Sequence, residues 1–237
     1  MDTLFDFVTY TKGIEYLIAV AFLVMFIPFW FLATSTRAPQ PERAAAAETV
    51  GRLEDMVGGF LVPDSVYFHP GHAWARVDDH EPDLVTVGID DFGQKLVGNI
   101  EGIQLPDIGA EVVQGARAWN LRLDGESIGM LSPVDGEVVA VNPDLTLEPE
   151  KINRDPFGSG WLLKVRPTRK SANIKGLLSG NFAKRWIDEA TSRLMENSEY
   201  ATGPVLTDAG PSRQGMARTI DAENWDRIVR DFFLVTE

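Results

Sequence analysis

The chain of 237 residues contains no cysteine. Disulfides, thiolate–metal ligation, iron–sulfur clusters, CxxC redox chemistry and a cysteine nucleophile are thereby excluded. Any electron chemistry must belong to a partner. Histidine is scarce too, with three in all. His69 and His72 have His-x-x-His spacing, but they flank Pro70-Gly71 in an expected turn, with no clear third ligand nearby, so no metal site is expected. No lysine lies between Lys95 and Lys151. Basic residues are outnumbered, 22 Lys plus Arg against 35 Asp plus Glu, for a formal net charge of −13. Nucleic acid is therefore not an expected partner, because its phosphates require lysine and arginine clusters. Most of the acidic excess falls between Pro63 and Pro167, 18 against 8, which suits a soluble surface. There is no P-loop, no GxGxxG and no Ser-His-Asp pattern in a recognisable context. Asp90-Asp91 is a carboxylate pair in sequence, but helix capping accounts for it. No catalytic residue and no cofactor are expected.

What is present begins with an uncharged run from Tyr16 to Ala33. At about 1.5 Å per helical residue it nearly crosses a hydrocarbon core of roughly 30 Å, so it is expected to be a transmembrane helix, with Pro28 as a kink site. The acidic N-terminal flank (Asp2, Asp6, Glu15) and the aromatic end (Phe29, Trp30, Phe31) favour a retained anchor over a cleaved signal peptide. Membrane lipid is then a partner. Arg37 and Arg43 follow the run, so that side is expected in the cytoplasm and the chain in the membrane as a single-pass protein. Leu4, Phe5, Phe7, Val8 and Tyr10 form an interfacial pattern. The expected organisation is an interfacial segment and membrane helix over 1–36, a tether over 37–62, a β domain over 63–167 and a helical extension over 168–237. In the tether, Glu42 to Met56 suits a short helix ended by Gly58 and Gly59.

From Tyr67 the periodicity is that of strands. Strands are expected at His72–Val77, Leu84–Ile89, Ile100–Leu105, Ala116–Leu123, Ser127–Leu131, Gly136–Val141 and Trp161–Val165. Asp90 is expected to cap a helix over Asp91–Leu96 that Gly98 ends. Many short strands with frequent turns indicate a mainly β fold, a flattened barrel or sandwich. Beyond Pro167, Phe182, Trp186, Ala190 and Leu194 share one helix face within Ser179–Asn197. Tyr200–Gly215 reads as a linker, and Asp221 as the cap of a second amphipathic stretch.

Four separated stretches resemble one family: His72-x-Trp74-x-Arg76; Val85-Thr86-Val87-Gly88-Ile89-Asp90-Asp91-Phe92; Leu105-Pro106-Asp107-Ile108-Gly109-Ala110-Glu111-Val112; and Asn153-x-Asp155-Pro156-Phe157-Gly158-x-Gly160-Trp161-Leu162. With Ser132-Pro133-Val134-Asp135-Gly136-Glu137-Val138-Val139 they are similar, in order and spacing, to the H protein of the glycine cleavage system, a lipoyl-domain relative. The resemblance implies the lipoyl-carrier fold over residues 63–167. It also implies a lysine that carries lipoate at the tip of a hairpin shortly before Pro133. Counting back from Pro133 puts Gly125 at that position, preceded by Asp124. Asp-Gly between alternating apolar residues is a signal for a two-residue type I′ turn.

Two functions are compatible with a carrier fold without its attachment point. The first is a non-catalytic, membrane-anchored accessory or scaffold subunit of a larger membrane complex, with the carrier fold used for docking. Because relatives of that fold work with redox enzymes, the resemblance implies a redox or respiratory complex of a bacterial inner membrane, with the β domain on the cytoplasmic side. Trp186, Trp225, Ile228, Val229, Phe232 and Phe233 are then candidates for binding the other subunits, as an apolar stripe that must be covered by the domain or by a neighbour. The second is a carrier or accessory enzyme of a glycine-cleavage-like or lipoate-linked system that uses an unrecognised attachment site.

Overall fold

The computed structural model describes residues 16, 18–30, 55–78, 81–198 and 214–235. Contacts divide the chain into two units, Met1–Val50 and Gly51–Glu237. In the first, residues 18–30 are helical and all exposed. Thirteen helical residues span about 20 Å, against the roughly 30 Å of a hydrocarbon core. Among the described residues, no helix is long and apolar enough to cross a membrane. Residues 31–33 of the expected span lie outside the described ones, as do the segment Leu4–Tyr10, Arg37, Arg43 and most of the tether.

The second unit opens with β1 (Met56–Val57) and β2 (Phe60–Leu61), paired antiparallel. Gly58 and Gly59 join them with φ of 58° and 86°. They close a hairpin, and Phe60 is thereby carried into the core. Of the expected helix Glu42 to Met56, only residues 55 and 56 are described, and Met56 is in β1.

The elements that follow are β3 (Tyr67–Phe68), β4 (Ala73–Val77), β5 (Val85–Ile89), α1 (Asp91–Val97), β6 (Gly102–Gln104), β7 (Glu111–Val112), β8 (Arg117–Leu123), β9 (Glu126–Leu131), β10 (Gly136–Val141), a 3₁₀ turn (Pro143–Thr146), α2 (Lys151–Arg154) and β11 (Leu163–Pro167). They build a six-stranded sheet in the order β3-β4-β5-β11-β10-β7 and a three-stranded sheet in the order β6-β8-β9. All named pairs are antiparallel. The fold is mainly β, as the strand periodicity implied.

Local chemistry explains the corners. Asp90 caps α1 by accepting from the Gly93 N–H at 2.7 Å, and Gly98, at φ 87°, ends the helix. The Trp74 indole N–H donates to the carbonyls of Ile89 and Pro156, each at 3.0 Å. This ties the Asp155-Pro156-Phe157-Gly158 segment to the sheet. The ring lies directly over Gly88, where a Cβ would come within 2.5 Å of it, so glycine is required there by close packing.

Among the described residues four helices follow: α3 (Lys170–Lys175), α4 (Gly180–Ser198), α5 (Met216–Ile220) and α6 (Trp225–Phe233). In α4 the buried stripe is Ala183, Ile187, Ala190 and Leu194, while Phe182 is 73% exposed, so the N-terminal half of the expected face is displaced by one position. Asp221 does not cap α6. Its carboxylate accepts from the N–H groups of Glu223 and Asn224 at 3.0 Å each, forming a turn before the helix. Most of the expected linker lies outside the described residues.

Of the two covers open to the apolar stripe, the domain or a neighbour, the described residues have the first: they pack on the domain itself, as part of its core. Trp225, Val229, Phe232 and Phe233 are buried, and Trp186 and Ile228 pack against the core half-buried. The physical reason is that α1 and the β8–β9 hairpin leave apolar surface that the domain's own sheets do not cover. Helix α6 covers it, with Phe232 at 5.4 Å from Phe92 between ring centroids.

Candidate functional site

The β8–β9 hairpin is the site that the sequence singles out. Its strands alternate: Trp119, Leu121, Leu123, Ile128 and Met130 are buried on one face, and register runs to Leu123↔Glu126 at the end. Two residues remain for the turn. Asp124 has φ 47° and Gly125 φ 83°, the two positive values that a type I′ turn requires. A Cβ at Gly125 would meet nothing within 4 Å, so the tip projects into open space on that side. An amide to lipoate requires a primary amine, and neither turn residue has one. The tip as it stands does not fit that group.

Asp124 is engaged from the other side. Its carboxylate lies 2.7 Å from a terminal nitrogen of Arg218, on α5. This is a charge contact more than an aligned hydrogen bond, because that nitrogen has no hydrogen-bond partner of good geometry. The guanidinium also donates to the Val97 carbonyl at 3.3 Å and stacks 3.8 Å above the Trp225 ring. Helix α5 reaches this place by a close crossing: the Gly215 N–H donates to the Lys95 carbonyl at 2.8 Å, and a Cβ on Gly98 would lie 2.8 Å from the Gly215 Cα. Gln214 donates to Gln94 at 2.9 Å, and Asn153 donates to Gln94 at 3.0 Å and to the Gly98 carbonyl at 2.8 Å. Residues 214–233 thus act as a strap from α1 to the hairpin tip. Nothing near Arg218 in the sequence marks it as the tip's partner.

The histidines have structural environments. His72, with φ 61°, is buried with its Nδ1 2.9 Å from Asp90. Its ring is stacked between Phe92 at 4.5 Å and Trp186 at 4.7 Å. His69 accepts from the Gly71 N–H at 3.0 Å, and burial, with His72 beside it, pushes its imidazole below the ordinary range. Among the described residues no group of three or more His, Asp or Glu side chains is placed to hold a metal ion. Asp90 and Asp91 are both engaged, Asp91 with Lys95 at 2.7 Å.

Two antiparallel sheets with a projecting hairpin before the Pro133 segment define a β domain of the lipoyl-carrier class. The family described as glycine cleavage H-protein matches residues 66–190. A probable glycine cleavage system H protein of Pyrococcus abyssi is 38% identical over 122 residues, 52% of this chain and 89% of the relative. One from Natronomonas pharaonis is 42% identical over 106 residues, 45% of this chain and 82% of the relative. A solved H protein from Mycobacterium marinum is 26% identical, spans 55% of this chain and 99% of its own, and superposes with a TM-score of 0.48. The chain belongs to the glycine cleavage H-protein family. That family is one of carriers and not of catalysts. Residues 1–65 and helices α5 and α6, Arg218 included, lie outside the matched stretch.

Proposed function

We propose that this chain is an accessory member of a glycine-cleavage-like or lipoate-linked system, which offers the carrier fold to larger enzymes for docking and carries no covalent lipoate. The observation that carries this reading is the hairpin tip. Gly125 stands where the family's resemblance puts the modified lysine, and no lysine lies between Lys95 and Lys151. Arg218 further ties the tip to the strap. The hairpin is retained as a structural element, which leaves its surface for protein contacts. Intact-mass measurement after expression with an active lipoylation system is the test. An unmodified mass is expected. A chain heavier by one lipoyl group overturns the reading, and peptide mapping to a lysine outside the tip would establish a carrier with a different attachment site.

A second reading rests on residues 18–30, a helix with all its apolar side chains exposed. Here Tyr16–Ala33 anchors the chain in a bacterial inner membrane with the β domain on the cytoplasmic side, as accessory subunit of a membrane complex, redox or respiratory. The names of the relatives favour glycine cleavage enzymes as partners, whereas the apolar run favours the membrane. Membrane fractionation and identification of the subunits that co-purify in mild detergent separate the two. Recovery in the soluble fraction, without detergent, would reject the anchor.

A further inference from the structure

The hairpin has two faces, and only one is covered. Leu121, Leu123, Ile128 and Met130 face the core, and helix α6 packs on β9. The opposite face of the β6-β8-β9 sheet presents Gln104, Asn120, Arg122 and Ser127, with Gln104 opposite Asn120 and Arg122 opposite Ser127. Arg117 and Arg122 are exposed. In a chain of net charge −13, neither has a carboxylate partner among the described residues, and this sheet face carries no acid of its own.

Both guanidiniums are laid flat on the sheet by glycine. Gly102 is paired with Arg122, and a Cβ there would lie 2.6 Å from the Arg122 Nη2. Gly129 plays the same part for Arg117, whose Nε a Cβ would overlap. Any larger residue at either position would lift the arginine off the surface. The result is a flat, polar platform with two planar donors and no internal charge compensation.

We propose that this platform is the docking face for a carboxylate-bearing segment of a partner protein. The inference rests on the docking function proposed above. Guanidinium forks match carboxylates in a bidentate way, and on a strongly acidic domain a face with two arginines and no acid is a favoured place for such a segment to approach. Nucleic acid is a poorer match, because its binding requires many neutralised phosphates and two arginines supply few. An anionic bilayer is also a poorer match. Each arginine contributes only about 1 kcal/mol at such a surface, the face has no exposed apolar residue to insert, and the net charge opposes approach.

The experiment titrates the full chain, in mild detergent at low ionic strength, with hexaglutamate, following the arginine Nε–H resonances. Saturable shifts at Arg117 and Arg122 are expected. The double variant Arg117→Glu/Arg122→Glu should weaken binding by roughly tenfold or more, while Arg185→Glu/Arg227→Glu, two exposed arginines elsewhere, should leave it within about twofold. Should the double reversal melt below the wild type, Arg117→Gln/Arg122→Gln replaces it. Absence of binding, equal binding by wild type and double variant, or stronger shifts with phosphatidylglycerol vesicles or single-stranded DNA than with hexaglutamate would each overturn the proposal. The mass of the same sample reports lipoylation separately, so a modified chain with a working platform is distinguishable from an unmodified chain without one.

Discussion

Arg218 holds Asp124 from helix α5, with 2.7 Å between guanidinium and carboxylate and the same guanidinium stacked on Trp225. One side chain therefore joins the hairpin tip, the end of α1 and the start of α6. Arg218→Ala is expected to destabilise the domain by about 1–2 kcal/mol, mostly through the lost stacking, since the ion pair is half in water. Amide hydrogen exchange at residues 123–126 should accelerate in this variant. Unchanged protection at the tip would show that the contact does not restrain it.

The turn itself makes a second prediction. Gly125→Val places a β-branched residue at φ 83° and is expected to cost about 1–2 kcal/mol, although its side chain would meet no neighbour. The measurement is urea unfolding. A midpoint equal to that of the wild type would contradict the type I′ geometry.

Gly88 is limited by space and not by backbone conformation. Gly88→Ala drives a methyl into the Trp74 indole and should destabilise by about 1–3 kcal/mol through overpacking. Tryptophan fluorescence should change in parallel, because the indole donates to two carbonyls that it must leave if displaced.

Helix α6 is tested by Phe233→Ala. Phe233 is fully buried, and the loss should be about 3–5 kcal/mol. A loss below about 1 kcal/mol, the range of surface substitutions, would instead leave the stripe free for a partner.

The dependence on pH follows from His69. Its folded pKa lies below the usual 6.5, first through burial and then through His72. Protonation therefore favours the unfolded chain, so the contribution of His69 is present above pH 6.5 and is lost as pH falls through the folded value. Protonation at Nδ1 would also break its bond from Gly71. Stability should begin to fall as pH drops through the ordinary imidazole value of about 6.5, and His69→Asn should flatten that slope. An equal slope in both proteins would assign the effect to another group.

The parts of this fold that were legible in the sequence are those determined locally. The edges of β10, the cap at Asp90 and the Asp124-Gly125 turn each depend on residues within a few positions, and each is where the pattern placed it. What covers the strap was not legible, for the opposite reason. Periodicity identifies an apolar face in Trp225–Phe233 but not what covers it, and only Phe92, His72 and β9, all distant in sequence, answer that. Arg218 and the Gly98–Gly215 crossing were invisible for the same reason. The displaced face of α4 is a smaller case: a four-residue repeat drifts around a helix of 3.6 residues per turn, so Phe182 left the buried side.

The aromatic stack around His72 also has a consequence for synthesis. Phe92 emerges soon after it, but Trp186 follows much later, and Phe232 and Phe233 later still. At about 5–20 residues per second, the interval from residue 72 to residue 233 is on the order of ten seconds or more. Throughout it, the nascent β domain has an open aromatic flank that only the strap can close. Folding of this domain is thus completed after translation of its body, and an open flank of this kind is a surface for chaperones to hold or for neighbouring nascent chains to join.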